Sequence, residues 1–344
     1  MNKLKVGIVG LGKQSLREHL PGILGSEQAQ LAAICDINKQ KVAELSEKLN
    51  VPGYVDYAEM FSKSRPDFAI VAVPHFSYKP IIEAACKEGI SILKEKPFAL
   101  NLDEALYFKR LAQESKIKIM TAVQRRFDPL YMVFNDLKNQ IGKVFLIEGR
   151  QTIIVDPSEG WRADKKRAGG GVLLDLGYHM IDVLIWNFGL PNSVHAQISG
   201  AAAPNAGYNV EDTAIVVFNY GKGLNGTLTL SRCQAPKKEE FKITASHGQV
   251  ETNGVEVKRM RREGSIAEII RKECLLPSAA TAQIEYFSQV VRGESANISS
   301  PDVHLQHAAF IEACYNSNEQ GKYVSPADLL KSKMKNMELS VLNR

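Results

Sequence analysis

The chain is 344 residues long, past the length at which a single hydrophobic core keeps growing, so two domains are expected. With 44% hydrophobic and 24% charged residues, 25 Gly and 14 Pro, the composition excludes disordered, collagen-like and membrane-embedded chains. A net charge of +5 from 43 basic and 38 acidic residues is too mild to indicate nucleic acid and suits at most an anionic small ligand.

Short β-branched runs at Lys5–Val9, Leu31–Asp36 and Phe68–Val73, each bounded by turn residues, predict buried parallel strands. Between them, residues 38–49 place Val42, Leu45 and Leu49 at helical spacing, and 79–88 open near Pro80 and stop at Gly89. Strands at Ser91–Leu93 and Ile117–Val123 flank a helix at 101–115 and extend the same sheet. This β-α-β-α-β order predicts a doubly wound parallel sheet with right-handed crossovers over residues 1–123.

The character changes from Gln124, and residues 124–344 are expected to form a second, α+β domain. A helix near 129–140 and a strand at 143–154 precede a charged, glycine-rich loop and a helix predicted over 172–188. Strands follow at 193–199, 211–220, 224–233, 239–245 and 249–257. Gly-Lys-Gly, Ala-Pro-Lys-Lys and Ser-His-Gly between them read as hairpin turns of a mostly antiparallel open sheet. The tail from 281 is helical, and the run Lys258–Arg262, lacking aromatics for base stacking, reads as a solvated face or hairpin.

Gly10, Leu11, Gly12, Lys13, Gln14 and Ser15 set a Gly-x-Gly-x-x-Ser turn between a strand and a helix. Gly10 permits the tight turn, Gly12 lets backbone N–H groups approach a pyrophosphate, and the helix N-terminus favours its charge. Asp36 ends the next strand 21 residues after Ser15, close to the roughly 20 expected of an acid that hydrogen-bonds a ribose 2′-hydroxyl. That carboxylate would repel a 2′-phosphate, so NAD is favoured over NADP.

Two further turns lie where open parallel sheets bind ligands, Pro74–His75–Phe76–Ser77–Tyr78 after the third strand and Glu95–Lys96–Pro97 after the fourth. With Glu95–Lys96–Pro97, the glycine-rich Gly169–Asp182 segment, Trp161–Arg162 before it, Arg125–Pro129 and Glu319–Val324, the sequence resembles the Gfo/Idh/MocA family along nearly its whole length. The resemblance implies an oxidoreductase with Lys96, Asp175 and His179 as its active-site trio. His75, Tyr78, Gln124, Trp161 and Arg162 then join the glycine turn, Asp36, Pro74, Glu95 and Lys96 as cofactor-side candidates. It also implies a homodimer or homotetramer joined through the open face of the second sheet. His75 and Tyr78 depart from the family's Pro-Asn-x-x-His turn.

The chemistry fits these residue types. Oxidising a secondary alcohol requires loss of the hydroxyl proton as hydride leaves carbon, and an imidazole with an ordinary pKa of about 6.5 accepts it near neutrality. His179 is the expected acceptor, Lys96 the donor to the same oxygen, and Asp175, four residues before His179 on the predicted helix, the orienting carboxylate. Asp182 is expected to cap or brace the structure and is left out of catalysis. The expected substrate is a sugar, cyclitol or sugar derivative. Two alternatives stay open, an NAD reduced and reoxidised within one cycle and a non-catalytic ligand sensor.

Cys35, Cys86, Cys233, Cys274 and Cys314 are odd in number and widely spaced, which suits a reducing cytoplasm and no disulfide framework. His19, His195, His247, His304 and His307 show no metal-ligand spacing, so no metal is expected. No apolar run reaches the ~20 residues of a membrane span, and Gly7, Gly10 and Gly12 break the N-terminal run before it resembles a signal peptide.

Overall fold

The computed structural model describes residues 2–202, 207–271 and 278–342, and Cys274 lies outside them. β1 (Leu4–Val9) leads through a π-helical turn at Ser15–His19 into α1 (Leu20–Leu24), then β2 (Ala29–Cys35) and α2 (Lys39–Leu49). Asn38 caps α2 by accepting from the Lys41 N–H, and Asn50 closes it in the left-handed conformation. Next come β3 (Gly53–Tyr54), α3 (Tyr57–Ser64), β4 (Phe68–Val71), α4 (Tyr78–Glu88), β5 (Ser91–Glu95), α5 (Leu102–Ser115) and β6 (Ile119–Ala122). All six strands run parallel in the order β3-β2-β1-β4-β5-β6, the doubly wound arrangement expected.

The sequence periodicity passes over β3 and α3. A two-residue strand carries no period, but α3 has a readable start: Asp56 accepts from the Ala58 N–H, and Glu59 stands three residues on, where a capping-box acid belongs. Met60 and Phe61 on this helix are fully buried.

The remaining elements are α6 (Pro129–Lys138), β7 (Val144–Ile154), α7 (Lys165–Ala168), α8 (Tyr178–Phe188), β8 (Ser193–Ser199), β9 (Thr213–Gly221), β10 (Leu224–Ser231) and β11 (Cys233–Ala245). They continue with β12 (Gly248–Thr252), β13 (Glu256–Arg261), β14 (Ile266–Arg271), α9 (Ala279–Arg292), α10 (Pro301–Gln320) and α11 (Pro326–Leu342). The eight strands from β7 on form one sheet, ordered β14-β13-β12-β11-β7-β10-β9-β8 and antiparallel except between β7 and β10.

One expected turn and one expected strand differ in the structure. Ala235–Lys238 is no hairpin, because β7 lies between β10 and β11; the segment is the irregular start of β11, with a register shift between Cys233 and Lys238. The strand expected over 249–257 is two, β12 and β13, folded back at Asn253, whose side chain accepts from the Val255 and Glu256 N–H groups. The basic run is carried largely by β13, where Arg259 pairs with Glu268 of β14 at 3.3 Å.

Contacts gather the described residues into two units, one of residues 2–99, 104–127 and 278–304, the other of 100–103, 128–202, 207–271 and 305–342. A division at 123 would give α9 to the second part, yet α9 belongs with the first unit. Its Phe287 packs edge-to-face on Phe68 at 5.1 Å, and Ile284, Phe287 and Val290 join Val6, Ile8 and Ile70 in one core. Each such fully buried apolar side chain contributes about 1.5–3 kcal/mol, more than exposed positions on the same helix supply. The segment that follows covers the free edge of β6: Asn297 donates to Ile119 O, and Thr121 and Ser299 bond reciprocally.

Candidate active site

In the first unit the glycine turn is built as its residue types require. Gly10 sits at φ +92°, and a Cβ there would lie 2.3 Å from Ala72 O, so a side chain is excluded by both conformation and space. Gly12 is the opposite case, exposed and with no heavy atom within 4 Å of where a Cβ would be. Lys13 and Gln14 are exposed beside it, whereas Ser15 is buried and its hydroxyl donates to Gly10 O at 2.5 Å, fastening the turn. Leu11 is buried beneath, and its N–H donates to Asp36 Oδ2 at 2.6 Å; Asp36 Oδ1 accepts from the Asn38 N–H. Lys41 Nζ donates to Leu11 O at 3.3 Å. Ile37, directly after Asp36, is 92% exposed. An open Gly12, a carboxylate at the end of β2 and helical N–H groups at the turn fit a dinucleotide.

The turn after β5 lies two strands away in the same sheet. Glu95 is buried, with its carboxylate taken up by His19 Nε2 at 2.8 Å and by the Lys96 N–H at 3.2 Å. Burial pushes the Glu95 carboxyl up, but the His19 hydrogen bond and charge together with the Lys96 ammonium hold it below the usual range. Glu95 therefore braces the turn against the helix that follows the glycines. His19, four residues after Ser15, went unread in the sequence although that spacing puts both on one helix face. Lys96 itself is half-buried. Pro74 is half-buried, while His75 and Tyr78 are buried and stack at 6.1 Å. Gln124 opens a 3₁₀ turn after β6 and is partly exposed.

In the second unit the segment from Gly171 to Gly177 is a series of turns, and α8 begins only at Tyr178. Asp175 and His179 are thus not on one helix, as 172–188 predicted. The cause is Glu211. A Cβ on Gly171 would lie 1.9 Å from Glu211 O, and that carbonyl accepts from the Val172 N–H while Glu211 Oε1 accepts from the Leu173 N–H and Tyr315 Oη. A Cβ on Gly170 would meet Tyr315 Oη at 2.1 Å, so the glycine run exists to seat the segment on these groups. Asp175, half-buried, accepts from Arg162 Nε at 3.1 Å and has Arg232 Nη2 at 4.0 Å. Arg162 also lies over the Trp161 ring at 4.3 Å, so this expected pair belongs to the setting of Asp175. His179 is half-buried on the first turn of α8. Asp182 is the expected brace, buried and 2.9 Å from His307 Nε2 on α10, against whose ring Tyr178 stacks.

Residues 4–123 match the model of an oxidoreductase family with an NAD-binding Rossmann fold, GFO/IDH/MocA, and residues 138–251 match that family's C-terminal domain. The chain belongs to the GFO/IDH/MocA family. It is 23% identical to the D-apiose dehydrogenase of Paraburkholderia graminis over 94% of this chain and 90% of that one. Two solved structures share the fold. The aldose-aldose oxidoreductase of Caulobacter crescentus superposes with a TM-score of 0.87 at 21% identity, covering 94% of this chain and 100% of that one. An Agrobacterium radiobacter oxidoreductase, in complex with NAD+, L-tartaric acid and magnesium, gives 0.83 at 19% identity over 95% and 100%. The chain is an NAD(P)-binding oxidoreductase of this family. Among the described residues no His, Cys, Asp and Glu side chains gather as a metal site, and no helix is long and apolar enough to cross a membrane.

Proposed function

We propose that this protein is an NAD-dependent dehydrogenase that oxidises a secondary alcohol of a sugar, cyclitol or sugar derivative, with Lys96, Asp175 and His179 acting on the substrate. The carrying observation is the glycine turn fitted to a dinucleotide, with the Lys96 turn braced to its helix through Glu95 and His19. The nicotinamide, when bound, supplies the acceptor for hydride from the carbinol carbon. His179 takes the hydroxyl proton, and Lys96 donates a hydrogen bond to the same oxygen, stabilising the charge that grows there. Asp175, held by Arg162, accepts from a substrate hydroxyl and fixes its orientation. Asp36 favours NAD over NADP through the ribose 2′-hydroxyl. Likeness to an apiose dehydrogenase supports a sugar-like substrate, and four free cysteines among the described residues suit the cytoplasm.

The test is a panel of sugars, inositols, sugar phosphates and nucleotide sugars assayed for NAD and NADP reduction. With a substrate in hand, Lys96→Ala and His179→Ala should each lower kcat by at least about 100-fold with the fold kept. Turnover near wild type removes the residue from the mechanism. The likeness to an aldose-aldose oxidoreductase favours one second reading, in which NAD stays bound and is reoxidised by a second sugar. NAD released by denaturing the purified protein, with reduction of one sugar coupled to oxidation of another, would establish it.

The same proposal includes a homodimer or homotetramer joined through the outer face of the second sheet. Ile215 and Val217 are exposed there, beside a concavity of about 570 Å³ lined by Thr227, Thr229, Glu240 and Lys258. Light scattering should give a multiple of the monomer mass, and a monomer would remove this part.

A further inference from the structure

Lys94 has no solvent exposure, on a strand paired along both edges with β4 and β6. An ammonium in such a place is costly, and an apolar side chain of equal length would avoid the cost. Burial lowers the Lys94 pKa to about 7 although Glu104 and Glu95 oppose the shift. What the ammonium gains is specific. It donates to Glu95 O at 2.8 Å and to Pro97 O at 2.5 Å, the carbonyls on either side of Lys96, and lies 3.7 Å from the centre of the buried Tyr78 ring. A single buried donor thus fastens both flanks of the residue assigned to the substrate oxygen.

We propose that Lys94 is a positioning residue that holds the Glu95–Lys96–Pro97 turn, and through it the Lys96 ammonium, in the conformation used for turnover. This rests on the role of Lys96 proposed above. Lys94 acts through the backbone and touches neither substrate nor cofactor.

Lys94→Met keeps the length and removes the donors. In the folded variant the Lys96 and Phe98 amides should exchange with solvent at least about 10-fold faster while β1 amides are unchanged. On the fastest substrate of the panel, kcat should fall about 10-fold or more, with KM and calorimetric NAD affinity within about twofold of wild type. Lys94→Gln, which keeps amide donors, should recover part of both effects. Amide exchange and kcat within about twofold of wild type in Lys94→Met would overturn the proposal. In wild-type protein labelled at lysine nitrogen, Lys94 Nζ protons should exchange about 100-fold more slowly than those of exposed lysines, and equally fast exchange would overturn it whether or not a variant folds. Turnover lost in Lys96→Ala but kept in Lys94→Met defeats this proposal alone. A panel without turnover, with amide exchange shifted as expected, defeats the dehydrogenase assignment and leaves the hold on the turn standing.

Discussion

The turn at Gly10–Ser15 and the segment at Gly169–Gly177 are both glycine-rich approaches to a helix, yet they use glycine for opposite ends. At the first, Gly10 admits a neighbouring strand end and Gly12 faces open space, so one glycine serves the fold and the other is the one we assign to the dinucleotide. At the second, Gly170 and Gly171 are closed in by Tyr315 and Glu211 of the same unit, and the backbone is shaped by those long-range bonds. The glycine spacing therefore describes the approach to the first helix, whereas the helical reading misleads at the second, where the Val172 and Leu173 N–H groups turn to Glu211.

The largest effect expected from this contrast is at Gly171. Its Cβ would lie 1.9 Å from a backbone oxygen that cannot swing aside, so Gly171→Ala should destabilise by more than about 4 kcal/mol in urea unfolding or prevent folding. Gly12→Ala should change stability by no more than about 1 kcal/mol while weakening NAD binding measured by calorimetry. If Gly171→Ala proves the milder change in unfolding, the distinction between structural and ligand-facing glycines fails.

This contrast also explains what the sequence made legible. β4 and the Val6–Val9 part of β1 are buried on both faces and read directly as Val, Ile and Phe runs. Lys96, Asp175 and His179 were readable as residue types in ordered motifs, but the setting of Asp175 was not, because Arg162 reaches it through folding and not through helical spacing. The His19–Glu95 pair joins positions 76 residues apart, a separation no local pattern encodes. The place of β7 between β10 and β11 is likewise fixed by pairing, so Ala235–Lys238 carried hairpin composition without a hairpin.

A smaller effect probes the link between the first turn and the Lys96 turn. His19→Ala leaves the Glu95 carboxylate buried with the Lys96 N–H, and breaking such a pair costs about 3 kcal/mol. The sign with pH follows from Glu95, whose folded pKa lies below 4.5. Its contribution is fully present above that value and is lost as pH falls through the folded pKa. Wild type should thus lose part of its advantage over His19→Ala in acid, as followed by chemical unfolding at a series of pH values. An advantage that grows as pH falls through the folded Glu95 pKa would show that the pair does not favour the ionised carboxylate.

The smallest effect concerns Asp36, where the turn serves the fold and, in the function proposed, the ligand at once. Its two oxygens already accept from the Leu11 and Asn38 N–H groups, so removing them loosens the turn as well as the proposed ribose contact. Loss of the turn alone would weaken NAD and NADP equally. Loss of a carboxylate that accepts from the 2′-hydroxyl and repels a 2′-phosphate would weaken NAD more than NADP, by a ratio of about 10-fold, or about 1.4 kcal/mol. Asp36→Ala therefore separates the two roles by the ratio of the cofactor affinities, not by their absolute loss. Lys41, whose ammonium reaches Leu11 O beside this carboxylate, is the cation placed to favour NADP once Asp36 is gone, and an unchanged ratio would assign Asp36 to the turn alone.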